Sequence, residues 1–142
     1  MKINMATDYA FRIIRVIYFA DDAVVTSKYI SERENISQGV TMKVLKILRE
    51  NNIVESHQGR GKYVGGFSLR ANIKELTLYD VLIVMEGPIN FNFPRDRQCH
   101  EIYGKECSIN KELYRVNRDL IQDLKKKSFY EIFIGKKRKA LI

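Results

Sequence analysis

Between residues 26 and 69 the chain places two short helix-forming segments, a tight turn between them, and two strand-forming runs around a basic loop. Few folds accommodate that order. Thr26 or Ser27 can cap the first helix, which is expected to run through Arg33 with Glu32 and Glu34 on its outer side. Asn35-Ile36-Ser37 supplies a turn and a second cap. From Gln38 to about Glu50, Val40, Val44, Ile47 and Leu48 recur at helical spacing and predict one buried stripe. That leaves Gln38, Thr41, Met42, Lys43, Lys46 and Arg49 to the remaining circumference. Asn51-Asn52 can take the left-handed conformation that stops such a helix. The strand-like runs 53–57 and 63–69 then flank Gln58-Gly59-Arg60-Gly61-Lys62, a loop with two glycines and two cations. A helix-turn-helix followed by a basic hairpin is a winged helix.

The flanking segments extend this unit. Ala10, Ile13, Ile14 and Ile17 share one face of a first amphipathic helix over residues 5–20. Thr77 can cap a helix in which Leu78, Val81, Leu82 and Met85 share a face, and Gly87-Pro88 ends it. Residues 88–107 show no period and hold both cysteines, and a loop of that length is commonly functional. After Ser108 or Asn110, a long helix carries Ile109, Leu113, Val116, Leu120 and Leu124 in one stripe, broadened by Ile121. About 18 residues make a rod of roughly 27 Å, longer than a domain of this size can cover, so pairing with a second copy is expected. Phe129, Tyr130, Ile132, Phe133 and Ile134 are expected to fold onto a partner, and residues 135–142 to form a solvated basic tail. The fold expected is mainly α with a small β-hairpin. It divides into a winged helix-turn-helix domain over 1–87, a cysteine-bearing sensor loop over 88–107, and a dimerisation helix with its C-terminal segment over 108–134.

Charge placement narrows the partner. The 142 residues carry 25 Lys and Arg against 17 Asp and Glu, a formal net charge of +8. The basic excess lies in residues 1–75 and 125–142, whereas 76–124 are slightly acidic. A basic first half suits an anionic partner, and nucleic acid fits better than membrane because no stretch joins a large apolar face to a basic one. No run of about 18 apolar residues is present to span a bilayer, and no leader-like start is seen, so a cytoplasmic location is expected. Two cysteines make no disulfide scaffold. Two histidines, with no Ser-His-Asp arrangement and no nucleotide-binding glycine loop, argue against an enzyme.

In a helix-turn-helix the first residues of the second helix reach base edges and later ones hold the backbone. Ser37, Gln38, Thr41 and Met42 are therefore candidate readers, with Lys43, Lys46 and Arg49 reaching phosphates or guanine. Gln58, Arg60 and Lys62 in the wing are candidate phosphate or minor-groove contacts. The plainer alternative is that these are solvated positions of an amphipathic helix. His57 reads as a hydrogen-bonded strand residue.

Taken in order, Thr7-Asp8-Tyr9-Ala10-Phe11-Arg12, Ile30-Ser31-Glu32-Arg33-Glu34-Asn35-Ile36-Ser37, Leu48-Arg49 with Ile53-Val54, Gly65-Gly66-Phe67-Ser68-Leu69, and Leu78-Tyr79-Asp80-Val81 through Glu86-Gly87-Pro88 resemble the Rrf family of bacterial winged-helix transcriptional regulators. The resemblance covers about residues 1–127. It implies a homodimeric regulator, usually a repressor, on double-stranded DNA with a pseudo-palindromic operator. It also implies a dimer built by the long helix through Ile109, Leu113, Val116, Leu120, Ile121 and Leu124. Several relatives hold an iron-sulfur cluster with three loop cysteines and, in some, an acid near the N-terminus of the other subunit. Here Cys99 and Cys107 occupy the loop and Asp8 the acid's position, but the third cysteine is absent.

Three readings of the cysteines stay open. His100, Glu101, Glu106 or the partner subunit's Asp8 could complete a mixed-ligand cluster. Cys99 and Cys107 could instead form a redox switch, with Arg95, Arg97 and Lys105 favouring the thiolate and Glu101 and Glu106 opposing it. Or the loop senses something else. A winged helix that binds protein rather than DNA is the rival reading for the whole chain.

Overall fold

The computed structural model describes residues 2–21, 23–90 and 108–140. Helix α1 (Met5–Phe19) begins where Asn4 accepts the Ala6 amide at 2.9 Å. It crosses the centre of the molecule, burying Ala10, Ile13, Ile14 and Ile17 on the predicted face. Helix α2 (Ser27–Glu34) starts at Thr26, whose hydroxyl accepts the Tyr29 amide, and stops at Asn35 with φ 53°. Two residues later Ser37 caps helix α3 (Gln38–Glu50). Asn52, with φ 60°, follows the end of α3, as its side chain permits.

Strands β1 (Val54–His57) and β2 (Gly66–Leu69) pair antiparallel, with Val54 opposite Leu69 and His57 opposite Gly66. Phe67 also exchanges two backbone hydrogen bonds with Val25, at 2.7 and 2.9 Å, which ties the hairpin to the segment entering α2. The second strand begins later than its sequence run suggests. The Tyr63 amide donates to the Arg60 carbonyl at 3.0 Å, so residues 60–63 close a turn on themselves instead of joining the ladder. Gly65 and Gly66 serve close packing. A Cβ at Gly66 would lie 2.5 Å from the Val25 carbonyl oxygen, and one at Gly65 2.4 Å from that of His57. His57 sits in the strand as expected, its Nε2 2.7 Å from Ser68 Oγ.

Helix α4 (Leu78–Glu86) opens with a reciprocal cap. The Thr77 amide donates to Asp80, and the Asp80 amide donates to the Thr77 hydroxyl. Helix α5 (Ser108–Lys125) lies against α4, and none of its residues is buried.

Helix α6 (Phe129–Ala140) corrects the expectation that this segment folds onto a partner. The Phe129 amide donates to the Leu76 carbonyl at 2.8 Å, and Phe129 and Phe133 are buried in their own chain's core. Their rings meet Phe11 and Tyr18 of α1, with centroids 6.0 and 5.1 Å apart. The physical reason is that α1 is apolar on two faces: one carries the aliphatic stripe and the other an aromatic strip that needs its own cover. The basic residues expected as a tail begin on helical backbone.

Two polar clamps fix α1 to the rest. Glu34, at the end of α2, accepts from Arg12 Nε at 3.0 Å and Arg15 Nη2 at 3.4 Å, and Arg12 also donates to the Glu34 carbonyl. A cation at the carboxyl end of a helix complements its dipole. The hydrogen bond to Glu34 holds the Arg12 guanidinium above its usual pKa. At the other end Glu86 accepts from the Asn4 amide and the buried Thr7 hydroxyl, both at 2.7 Å.

Candidate nucleic-acid interface

The turn between α2 and α3 is set by the left-handed Asn35, by buried Ile36, whose amide donates to the Ser31 carbonyl at 3.0 Å, and by the Ser37 cap. This fixes which arc of α3 faces inward. Thr41, Val44, Leu45 and Leu48 are buried there, whereas Val40 and Ile47 are only half-buried.

Thr41 is therefore withdrawn from the set of candidate DNA readers. It is wholly buried against the core, and its hydroxyl donates to the Ser37 carbonyl at 2.9 Å. Leu45, absent from the predicted stripe, takes an inner position because the buried arc follows offsets 0, 3, 4 and 7 from Thr41. Ser37 is exposed, but its hydroxyl accepts the Val40 amide. Gln38 is exposed with its amide shared between α2 hydroxyls: Nε2 donates to Ser27 at 2.7 Å and Oε1 accepts from Ser31 at 3.0 Å. A bidentate contact to a base would have to replace both bonds.

Met42, Lys43, Lys46 and Arg49 are brought together on the outer arc. With Gly39 and with Phe67 of β2 they line a shallow concavity of about 270 Å3, so the exposed face of α3 runs into the second wing strand. Lys43, Lys46 and Arg49 make no ion pair with any described residue. Three other arginines are paired, Arg12 and Arg15 with Glu34, and Arg115 with Glu112 and Asp119. Unpaired cations in a row beside an apolar methionine offer phosphate contacts and one adaptable base-edge contact. Gln58, Arg60 and Lys62 are all exposed on the wing. Tyr63 beside them is 81% exposed, a feature its strand-like sequence context conceals.

Asp8 is exposed at the start of α1 and pairs with Arg12 at 3.5 Å. Cys99, His100 and Cys107 lie outside the described residues. Among the described residues no group of three or more His, Cys, Asp or Glu side chains gathers where it could hold a metal. On α5, Ile109 and Val116 are exposed, while Leu113, Leu120, Ile121 and Leu124 are half-buried. No helix among the described residues is long and apolar enough to cross a membrane.

Known proteins share this architecture. YffB of Lactococcus lactis, named as a helix-turn-helix transcriptional regulator, is 21% identical over 139 residues, covering 93% of this chain and 86% of that protein. The structure of CymR, the global cysteine regulator of B. subtilis, superposes with a TM-score of 0.73 at 22% identity, over 93% of this chain and 95% of that one. IscR of T. potens gives 0.70 at 18% identity, over 96% and 88%. These structures share the fold. Residues 3–133 match the Rrf2 family, described as iron-dependent transcriptional regulators, and on that match over nearly its whole length the chain belongs to this family of DNA-binding transcriptional regulators rather than to any family of enzymes.

Proposed function

We propose that the chain acts as a homodimeric repressor that binds a pseudo-palindromic operator through paired α3 helices and wings. The observation that carries this reading is the row of unpaired cations, Lys43, Lys46 and Arg49, on an arc of α3 that opens onto the wing. Dimerisation is supported by α5, whose stripe of Ile109, Leu113, Val116, Leu120, Ile121 and Leu124 finds no full cover among the described residues. Two recognition helices related by a two-fold axis would meet half-sites about one helical turn apart. The segment 88–107 would then act by changing how the two recognition helices are spaced.

The donor set does not fit the iron-sulfur cluster held by relatives. Those relatives use three loop cysteines, and this chain has two cysteines in all. Two thiols are what a reversible disulfide needs, and we assign Cys99 and Cys107 to redox sensing in that form.

Selection of duplexes from a randomised pool tests the reading. The expected product is an inverted repeat bound by a dimer, with affinity falling steeply as salt rises. Binding that survives replacement of Lys43 and Lys46 by Glu would favour a protein-binding module instead. Equal operator affinity of reduced and oxidised protein would remove the thiol-sensing part alone.

A further inference from the structure

Among the large apolar side chains in the described residues, the two most exposed stand next to each other at the tip of the wing. Tyr63 is 81% and Val64 76% accessible. The Tyr63 ring makes no aromatic or cation contact with any described residue. A freely flexing loop could hide such a pair, but this tip is constrained. The amide of Tyr63 donates to the Arg60 carbonyl, and Gly61 takes φ +59° between them. Below the turn the two backbones touch at Gly59 and Gly65. A Cβ on Gly59 would lie 2.8 Å from the Tyr63 carbonyl oxygen, and one on Gly65 2.7 Å from the Gly59 amide nitrogen. The neck therefore has no room for a side chain, and the tip is held out from the body.

The charge around the tip identifies its partner. Arg60 and Lys62 are exposed within the turn itself, and from Ser56 through Lys74 the sequence contains no Asp or Glu. An apolar protrusion with cations on its flank is complementary to an anionic groove with apolar walls. The minor groove of duplex DNA has that character: phosphates line its rims, sugars form its walls, and it is about 6 Å wide. Architectural proteins use the same combination, setting cations against phosphates while an apolar side chain wedges at a base step.

We propose that Tyr63 and Val64 form an apolar wedge that enters the minor groove beside the major-groove site of α3 and selects duplexes whose base steps open or bend easily there. This rests on the DNA-binding reading above and adds a specificity determinant to it. Arg60 and Lys62 supply sequence-independent attraction, and the wedge supplies discrimination by deformability, which favours flexible pyrimidine-purine steps over stiff ones.

The test uses the full-length chain, the duplex that it enriches from a randomised pool, and an unrelated duplex of equal length. Tyr63→Ala combined with Val64→Ser is expected to leave thermal stability and the salt dependence of binding unchanged. Affinity for the enriched duplex should fall about ten- to a hundredfold, the loss of burying one or two apolar side chains expressed as affinity. Affinity for the unrelated duplex should hold. Tyr63→Phe, which keeps the ring, should retain affinity. Arg60→Ala with Lys62→Ala should instead weaken both duplexes and lower the salt slope by about one for each phosphate no longer neutralised. If the Tyr63/Val64 variant binds both duplexes like wild type, or loses equally on both, the wedge is overturned. A Tyr63→Phe protein as weak as the double variant would also overturn it, because the hydroxyl and not the apolar face would then touch the DNA. If wild type enriches no duplex at all, the DNA-binding reading fails and the wedge with it. If wild type enriches one that Lys46→Glu no longer binds, the DNA-binding reading stands and the wedge alone is judged.

Discussion

Thr41 and Lys46 stand five residues apart on one helix, and their fates show what sequence periodicity can and cannot assign. Lys46 could be placed on the outer arc from the sequence because a lysine is almost never buried unpaired. Thr41 could not, because a threonine can satisfy its hydroxyl on the preceding turn and then pack like valine. It does so against the Ser37 carbonyl. Thr41→Val should accordingly leave operator affinity unchanged within twofold of wild type, about 0.4 kcal/mol, whereas Lys46→Glu should weaken it by more than about tenfold, measured by fluorescence anisotropy at fixed salt. Phe129 belongs to the same lesson. As one aromatic among several near the C-terminus it carried no address, since the surface that receives it is a second face of α1. Phe129→Ala should lower unfolding free energy by about 3 to 5 kcal/mol in urea titration.

At the scale of elements, capping chemistry was the most legible part of the chain. Thr26, Ser37 and Thr77 each start the helix expected of them, because a hydroxyl before an apolar-periodic run meets an otherwise unpaired amide. The hairpin was legible in kind but not in length, since the turn that Arg60 and Tyr63 close within the loop depends on Gly59 and Gly65 touching across the neck. The clamps between helices were invisible in sequence. Glu34 reads as a solvated acid on the outside of α2, yet its side chain is only 12% exposed and takes both Arg12 and Arg15. Because Glu34 precedes the turn into α3, Glu34→Ala should do two things. It should cost about 1 to 2 kcal/mol of stability, the worth of a charge-assisted hydrogen bond at a partly exposed site. Operator binding should also weaken as the turn loosens, and hydrogen exchange at Ile36 and Ser37 should rise. Exchange unchanged at those amides would show that Glu34 does not set the turn.

For the whole molecule, the winged-helix architecture followed from the order of its pieces, whereas the seat of the C-terminal helix did not, because nothing local distinguishes packing on one's own core from packing on a partner's. The long α5 is the complementary case: a stripe strong in sequence that the described residues cover only in part. Leu120→Asp with Ile121→Asp should keep the monomer folded, since neither residue is buried in it. It should shift sedimentation from dimer to monomer and reduce operator affinity steeply, because each half-site would then be bound alone. Everything else depends on the outer arc of α3 reading DNA. It is checked by the salt dependence of affinity for the enriched duplex, compared between wild type and the Lys43→Glu/Lys46→Glu variant. Wild type should show a steep linear fall of log affinity with log salt, and the variant weaker binding with a shallower slope. Identical affinities and slopes for the two proteins would contradict a DNA-reading role for α3.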